Sequence, residues 1–474
     1  MPTFLLPRAT RGDASALARN RSAAGEAPSH ATPRARLARC RAGVLLAWHP
    51  ALEVGLAILA VALLLGRFPL PGGLDFGYRS WARNLALLFL AGALVGAPGV
   101  RLARSRIALA LLGLALVATA SVLLAGGRTA AVSALWVALG VFHAVRTVAS
   151  EPQGRRRLLH GLGLFCVAVL VRELWHEPRL LWLREAHRHA LVTEHPNTLG
   201  FAMALVLPVL LAATARRSER AAASTYSVAA GVVVLVTFSR AAWLAMGGAI
   251  LALALATRPA EAHGARAGEA ARTARVRVEL AALAALVLLL AVTALSRSRT
   301  GGDVQRLRIL GTSWSLFLEH WPLGVGFGSG NLEPLFPVRY LERNGESLFL
   351  FHSHDLYLDV LTGCGVSGGL AALALFASVG CAAWRGLANA RQRAARAEAA
   401  GHATSFAVFL LLGLVDTPLY HGRLLLLSVV LWAMLDSFAA CAFHSHEPKK
   451  AASRAPVIPE RPLAAVRRKR HRVC

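Results

Sequence analysis

Residues 106–125 read RIALALLGLALVATASVLLA, and Arg106 is the one charged side chain among them. An α-helix needs about 20 mostly apolar residues to cross the hydrocarbon core of a bilayer. This stretch therefore predicts a transmembrane helix, and it has many counterparts along the chain. Further apolar stretches lie at 52–66, 84–100, 129–148, 157–172, 198–214, 226–238, 240–257, 278–296, 356–383, 402–416 and 422–442. Together they predict about twelve transmembrane helices.

The composition of the whole chain agrees with this pattern. Hydrophobic residues make up 56% of the 474 residues and the mean hydropathy is +0.52, whereas an ordinary soluble protein is about 45 to 50% apolar. A soluble globular fold is therefore excluded. The predicted fold class is all-α, a polytopic integral membrane protein.

The net charge of +27 raises the question of a nucleic-acid partner, and the positions of the basic residues answer it. If the N-terminus is cytoplasmic, 36 of the 52 Lys and Arg residues fall in the termini and connections on the cytoplasmic side. Membrane proteins show this bias because cytoplasmic segments retain Lys and Arg. The charge is therefore interpreted as a topology signal that also attracts anionic membrane lipids, and no nucleic-acid partner is predicted.

The same topology divides the chain into three parts. Residues 1–42 and 447–474 are basic and are predicted to be disordered cytoplasmic ends, and residues 43–446 form the transmembrane domain. Its main periplasmic loop is predicted at 297–353, between the ninth and tenth helices. The six cysteines show no spacing typical of a metal site or of a disulfide framework, so neither a metal nor an organic cofactor is predicted.

Two polar side chains lie where apolar segments meet the predicted external face. Arg240 follows Thr237-Phe238-Ser239 between two apolar runs, and His354 begins the segment His354-Asp355-Leu356 after the longest polar loop. Charged and titratable groups at membrane depth are costly and usually functional. A guanidinium suits bidentate recognition of phosphate, although Arg240 would also satisfy a simple snorkelling role.

Three further external segments contribute candidate residues. His195 and Asn197 lie in the segment 194–200, where Asn197 also fits a helix N-cap. Arg188 belongs to an Arg- and Trp-containing stretch that suits either lipid anchoring or substrate binding. Arg306 and Arg308 precede a glycine-rich bend at 324–330, for which a flexible external lid is expected.

The order of these motifs resembles that of the O-antigen ligase and O-antigen polymerase superfamily of bacterial envelope glycosyltransferases. The resemblance runs from 194 to 423. It rests on Pro196-Asn197, Ser239-Arg240, the Arg306 segment leading to Pro322-Leu323-Gly324-Val325-Gly326, and His354-Asp355-Leu356-Tyr357-Leu358 followed by Gly363-Cys364-Gly365-Val366-Ser367-Gly368. The family usually has Asn after the histidine, whereas this chain has Asp355.

The resemblance implies transfer of a glycan from undecaprenyl diphosphate to an acceptor hydroxyl on the periplasmic side of the inner membrane, without metal or nucleotide. His354 would act as the general base, with Asp355 or Asp359 holding its tautomer, and Arg240 would stabilise the diphosphate. His352, two residues earlier, is a second candidate for the active histidine. The other residues assigned to substrate binding are Arg306, Arg308, Asn197, His195, Arg188 and Asp355.

Several functions share this chemistry. Ligation of O-antigen to the lipid A core is the leading hypothesis, and a polysaccharide polymerase or a protein O-oligosaccharyltransferase uses the same kind of donor. A secondary transporter is the alternative from another class, since about twelve helices also suit a carrier. The sequence carries no signal of oligomeric state.

Overall fold

The computed structural model describes residues 105–176, 196–237, 239–256, 301–347 and 352–444. Throughout these ranges the regular structure is helical, which confirms the all-α prediction. The helices are α1 (Arg106–Leu124), α2 (Ala130–Ala149), α3 (Pro152–His176), α4 (Pro196–Ala213), α5 (Arg220–Val236), α6 (Arg240–Ala256), α7 (Gly301–Glu319), α8 (Ser329–Leu332), α9 (Phe336–Asn344), α10 (Leu356–Asn389), α11 (Arg393–Gly413) and α12 (Gly422–His444).

These twelve elements are not the twelve predicted transmembrane helices. The predicted stretches at 52–66, 84–100 and 278–296 and both predicted disordered ends lie outside the described residues. Conversely, α7, α8 and α9 lie within the predicted loop 297–353, so much of that segment is helical. Within the described residues, four helices are long and apolar enough to cross a membrane: α1, α2, α10 and α12. Three others are apolar but have shorter apolar segments: α4, α5 and α6.

One continuous apolar core joins the helices. The long helix α10 packs along α1 and against α12, while α11 packs against α4 and α6. Many contact positions are small residues, which allow two helix backbones to approach closely inside a membrane. Gly401 of α11 shows this, since a Cβ atom there would lie 2.5 Å from the Cβ of Ala212 in α4.

The helix α10 is kinked at Gly365, whose φ of 64° and ψ of −163° lie outside the helical region. The kink frees carbonyl groups, and the glycine-rich segment supplies their donors. The backbone N–H of Val325 donates to the carbonyl of Thr362 at 3.0 Å, and that of Gly326 donates to Gly363 at 2.8 Å. The two glycine motifs noted in the sequence therefore bind each other.

The close fit of this segment corrects the expectation of a flexible lid. Gly324 has φ +73°, and a Cβ atom there would lie 2.3 Å from the backbone carbon of Gly363. Phe327 is fully buried, and Ser121 of α1 donates to the carbonyls of Leu323 and Gly363 at 2.7 and 2.8 Å. The segment is a packed part of the bundle.

Helix contacts bring several chain segments to one end of the bundle. Ser405 donates to the carbonyl of Leu205 at 2.7 Å, and Gly401 faces Ala212, so α4 and α11 run in opposite directions. The start of α4 therefore lies beside the end of α11. That end meets the start of α10, because a Cβ atom on Gly413 would lie 3.2 Å from the Cβ of Leu356.

The starts of α6 and α7 lie at this same end. Gly200, in the first turns of α4, packs against Thr237 and Ala242 on either side of the start of α6. The carbonyl of Ser313 in α7 accepts from Thr362, and just beyond the end of α7 the carbonyl of Trp321 accepts from the N–H of Val366. Helices α7 and α10 thus run in parallel, and the first turns of α7 lie toward the start of α10.

Candidate active site

The candidate site forms where two chain segments meet at this end of the bundle. One is the segment 352–355, which leads into α10, and the other is the turn 416–421 between α11 and α12. Asp355 starts α10 as its N-cap, accepting a hydrogen bond from the N–H of Leu358 at 2.9 Å. This local bond satisfies a backbone donor that the first helical turn cannot satisfy itself.

Asp359, in the first turn of α10, fastens the two segments together. Its carboxylate accepts from the N–H and the hydroxyl of Ser353 at 2.8 and 2.7 Å, and it also accepts from the hydroxyl of Thr417. The hydroxyl of Tyr420 donates to the Asp359 carbonyl at 2.6 Å. Asp359 is fully buried, so these bonds replace the water that its carboxylate has lost. Asp359 therefore holds the segments 352–355 and 416–421 together.

Above it lies the histidine–aspartate cluster, which consists of His352, His354, Asp416 and His421. Oδ1 of Asp416 lies 3.3 Å from Nε2 of His421 and 3.6 Å from Nδ1 of His354. The rings of His352 and His354 have centroids 4.2 Å apart. Ligand atoms of His352, His354 and Asp416 all lie within 4.8 Å of one another, so these residues could hold a metal ion.

Asp416 is the anionic centre of the cluster. Its burial would raise the pKa of the carboxyl group, but the imidazoles of His354 and His421 and the N–H of Thr417 outweigh burial and hold that pKa well below its usual range. The N–H of Thr417 donates to Oδ1 at 2.8 Å. Asp416 is therefore ionised and orients the imidazoles that face it.

His352 faces two groups with one nitrogen. Its Nδ1 lies 3.2 Å from the backbone N–H of His354 and 3.4 Å from Oδ2 of Asp359. The first contact requires an unprotonated Nδ1 and the second favours a protonated one. Burial lowers the pKa of His352, but hydrogen bonding to Asp359 and the charges of Asp359 and Asp416 outweigh burial and raise it.

The structure also compares the two candidate histidines directly. Their rings are in contact, so both candidates belong to one cluster. They differ in access, since the His354 side chain is 41% exposed and the His352 side chain 15%. His354 also has a φ of 55°, the one positive value among the described residues other than glycine. Such a backbone persists only when its surroundings hold it, and it often marks a functional site.

The carboxylate beside His354 belongs to Asp416 and not to either aspartate expected from the sequence. Asp355 and Asp359 were the predicted partners, but Asp355 caps α10 and Asp359 faces His352. Burial, the largest influence, raises the pKa of Asp355. The partner of His354 is Asp416, which sequence reasoning missed together with His421. The available signal was an acid and a histidine within Asp416-Thr417-Pro418-Leu419-Tyr420-His421, a short polar break between two apolar runs.

Arg240 and Asn197 lie at the same end of the bundle. Arg240 is the first residue of α6 and is partly exposed, and in the described part of the chain its side chain makes no hydrogen bond or ion pair. A cation without an internal partner is available to an anionic ligand. Asn197 lies in the first turn of α4, which begins at Pro196, so it follows the cap position instead of occupying it.

The two arginines of α7 differ. Arg306 is exposed, whereas Arg308 pairs with Glu346 at 2.8 Å, and hydrogen bonding to that carboxylate raises the pKa of the guanidinium. Arg306 is therefore the more available cation. Arg188 and His195 lie outside the described residues.

Together these observations define a multi-pass helical membrane protein with a histidine–aspartate cluster at one end of its bundle. Comparison with protein families matches residues 225–376 to the family described as O-antigen ligase. This match confirms the resemblance drawn from the motifs over that part of the chain, and it supports an O-antigen ligase- or polymerase-type glycosyltransferase. The matched range includes Arg240, Arg306 and His354. No curated protein matches the chain.

Proposed function

We propose that the protein transfers a glycan from undecaprenyl diphosphate to an acceptor hydroxyl at the periplasmic face of the bacterial inner membrane. The proposed acceptor is the lipid A core, so the proposed reaction is O-antigen ligation. The single observation that carries it is the exposed imidazole of His354 above the ionised carboxylate of Asp416, inside a chain that matches the O-antigen ligase family.

The proposed reaction begins with the acceptor. Nδ1 of His354 faces Asp416, so a proton on that nitrogen leaves Nε2 with a free lone pair. Nε2 takes the proton of the acceptor hydroxyl as its oxygen attacks the anomeric carbon of the donor sugar. The imidazolium that forms is stabilised by the carboxylate of Asp416.

The donor side needs fixed positive charge. The bond between the anomeric carbon and the diphosphate oxygen breaks, and both electrons leave with the undecaprenyl diphosphate. Arg240 and Arg306 lie at the same end of the bundle as His354, and we assign them to this developing charge. No step needs a metal ion or a nucleotide.

A transfer assay tests the proposal. Purified protein in lipid nanodiscs, with no ion or proton gradient, should consume lipid-linked glycan and release undecaprenyl diphosphate when lipid A core is added. Absence of bond cleavage in the nanodiscs, together with uptake of the glycan by sealed vesicles that contain the protein, would instead identify a carrier.

The acceptor is tested in cells. Deleting the gene should leave lipid A core without O-chain while lipid-linked polymer accumulates. Lipid A core capped with single repeat units would identify a polymerase, and loss of glycan from proteins alone would identify a protein O-oligosaccharyltransferase.

A further inference from the structure

We propose that the histidine–aspartate cluster is a Zn²⁺ site, and that an ion bound there blocks glycan transfer. The inhibitory part rests on the proposed function, whereas the binding part does not. Ligand atoms of His352, His354 and Asp416 lie within 4.8 Å of one another, and we assign His421, which faces the same oxygen of Asp416, as the fourth donor. These are ligand types that zinc prefers in four-coordinate sites.

Two of the donor spacings are close to those around a tetrahedral ion. Two ligands at Zn–N or Zn–O distances of about 2.0 to 2.1 Å lie about 3.4 Å apart. Oδ1 of Asp416 lies 3.3 Å from Nε2 of His421 and 3.6 Å from Nδ1 of His354. The ligand atom of His352 lies within 4.8 Å of those of His354 and Asp416. The imidazoles would therefore move closer together around a bound ion to complete the set.

Outer contacts hold these ligands in place. The N–H of Thr417 bonds to Asp416 at 2.8 Å, and the carboxylate of Asp359 lies 3.4 Å from Nδ1 of His352. Metal-binding histidines commonly present the ring nitrogen that faces away from the metal to a carboxylate, which here leaves Nε2 of His352 for the ion. The side chains of His354 and His421 are 41% and 34% exposed, so an ion can reach the cluster from solvent.

Bound zinc removes the base that transfer needs. Coordination through Nδ1 of His354 leaves the single proton of the neutral ring on Nε2. That nitrogen then has no lone pair for the acceptor hydroxyl. Asp416, engaged by the ion, also ceases to orient the ring. Zinc occupancy and proton transfer by His354 are therefore mutually exclusive.

Calorimetry tests the site independently of catalysis. The full chain, purified without a polyhistidine tag, placed in nanodiscs and treated with chelator, is titrated with Zn²⁺, and Co²⁺ is used as an absorption probe of geometry. We expect one high-affinity equivalent and visible Co²⁺ bands typical of tetrahedral coordination. Substitution of His421→Gln should weaken binding by at least about tenfold. His320→Gln is the matched control, because that ring bonds to the Leu316 carbonyl on α7.

His352→Gln gives a second test in case His421→Gln does not fold, and we expect a similar weakening. Unchanged affinity in both cluster variants, or no binding by the wild-type chain, would overturn the site.

Zinc should inhibit wild-type transfer with the same midpoint as its binding. Full transfer at saturating zinc would overturn the inhibition alone. Absence of transfer without zinc would overturn the proposed function, while calorimetry would still measure the site.

Discussion

Buried or partly buried carboxylates lie at both ends of the helix bundle, but they have different partners. At the end where α2 and α12 finish, Asp436 pairs with Nε of Arg146 at 2.6 Å, and Glu398 near the start of α11 pairs with Arg216. At the opposite end, Asp416 lies between two imidazoles. A guanidinium is always charged, whereas an imidazole gains and loses a proton near neutral pH.

The difference separates structural pairs from a reactive cluster. Arg146 and Asp436 join α2 to α12 through an ion pair. The cluster around Asp416 instead surrounds a carboxylate with imidazoles, a side chain that serves in proteins as a general base and as a metal ligand. Carboxylates therefore face arginines at one end of the bundle and histidines at the other. We expect the arginine pairs to stabilise the fold and the histidine contacts to support catalysis.

Thiol labelling gives the largest expected contrast between the two ends. In a background without native cysteines, Ser347→Cys places a thiol at the cluster end and Gln392→Cys places one between α10 and α11 at the other end; both positions are exposed. The distribution of basic residues predicts that the first faces the periplasm and the second the cytoplasm. A membrane-impermeant reagent should label only Ser347→Cys in intact cells. Labelling of both from outside would contradict the opposed ends.

Removing the proposed base should have the largest effect on catalysis. We expect His354→Ala to lower turnover by about a hundred- to ten-thousand-fold, as loss of a positioned general base usually does. His352→Ala should be milder, because its ring is more buried and faces Asp359. Turnover is measured at equal membrane abundance. An active His354→Ala beside an inactive His352→Ala would reverse the assignment.

Arg240 tests whether the cluster end also supplies fixed charge. Arg240→Ala should reduce transfer by about a hundredfold or more, because a developing diphosphate charge would lose its partner. Arg240→Lys keeps the charge but loses the bidentate geometry, so it should recover only part of the activity. Arg306→Ala should be milder. Near-normal transfer in both Arg240 variants would leave only a role at the membrane interface.

Asp416 is expected to act as a positioning residue through His354. Asp416→Asn should lower kcat by about ten- to a hundredfold, because the imidazole loses its orienting carboxylate, and KM should change little. Asp416→Glu should restore part of kcat, which a general loss of folding would not allow. A rise in KM of about ten- to a hundredfold with unchanged kcat would show instead that Asp416 binds substrate.

The apolar helices of the bundle could be predicted from sequence because length and hydropathy determine them. The stretch 106–125 forms Arg106–Leu124, and 422–442 lies within Gly422–His444. Helix α7 was missed, since charged residues at its start made Gly301–Glu319 resemble a polar loop. Its buried residues Ile309 and Leu316 pack against Phe336 and Tyr340, a local core that no single segment shows.

The site also has residues that sequence could predict and contacts that it could not. His354 and Arg240 stand out because each lies at the edge of an apolar run, and the bundle places both at one end. Asp416 could not be paired with His354 from sequence, because their contact depends on how α11 returns to the start of α10. The same folding brings Asp359 to His352, so each carboxylate partner is set by tertiary packing.

The arginine pairs should contribute to stability and little to catalysis. Asp436→Asn removes the charge that faces Arg146, whose side chain is 27% exposed. Because water partly compensates that arginine, we expect a loss of about 1 to 3 kcal/mol, below the cost of breaking a fully buried pair. Thermal unfolding in nanodiscs measures the loss, and turnover per folded molecule should stay within about twofold of wild type. A catalytic defect as large as that of Asp416→Asn at unchanged stability would remove the distinction between the two ends, because a carboxylate paired with a fixed cation would then be supporting the chemistry as well.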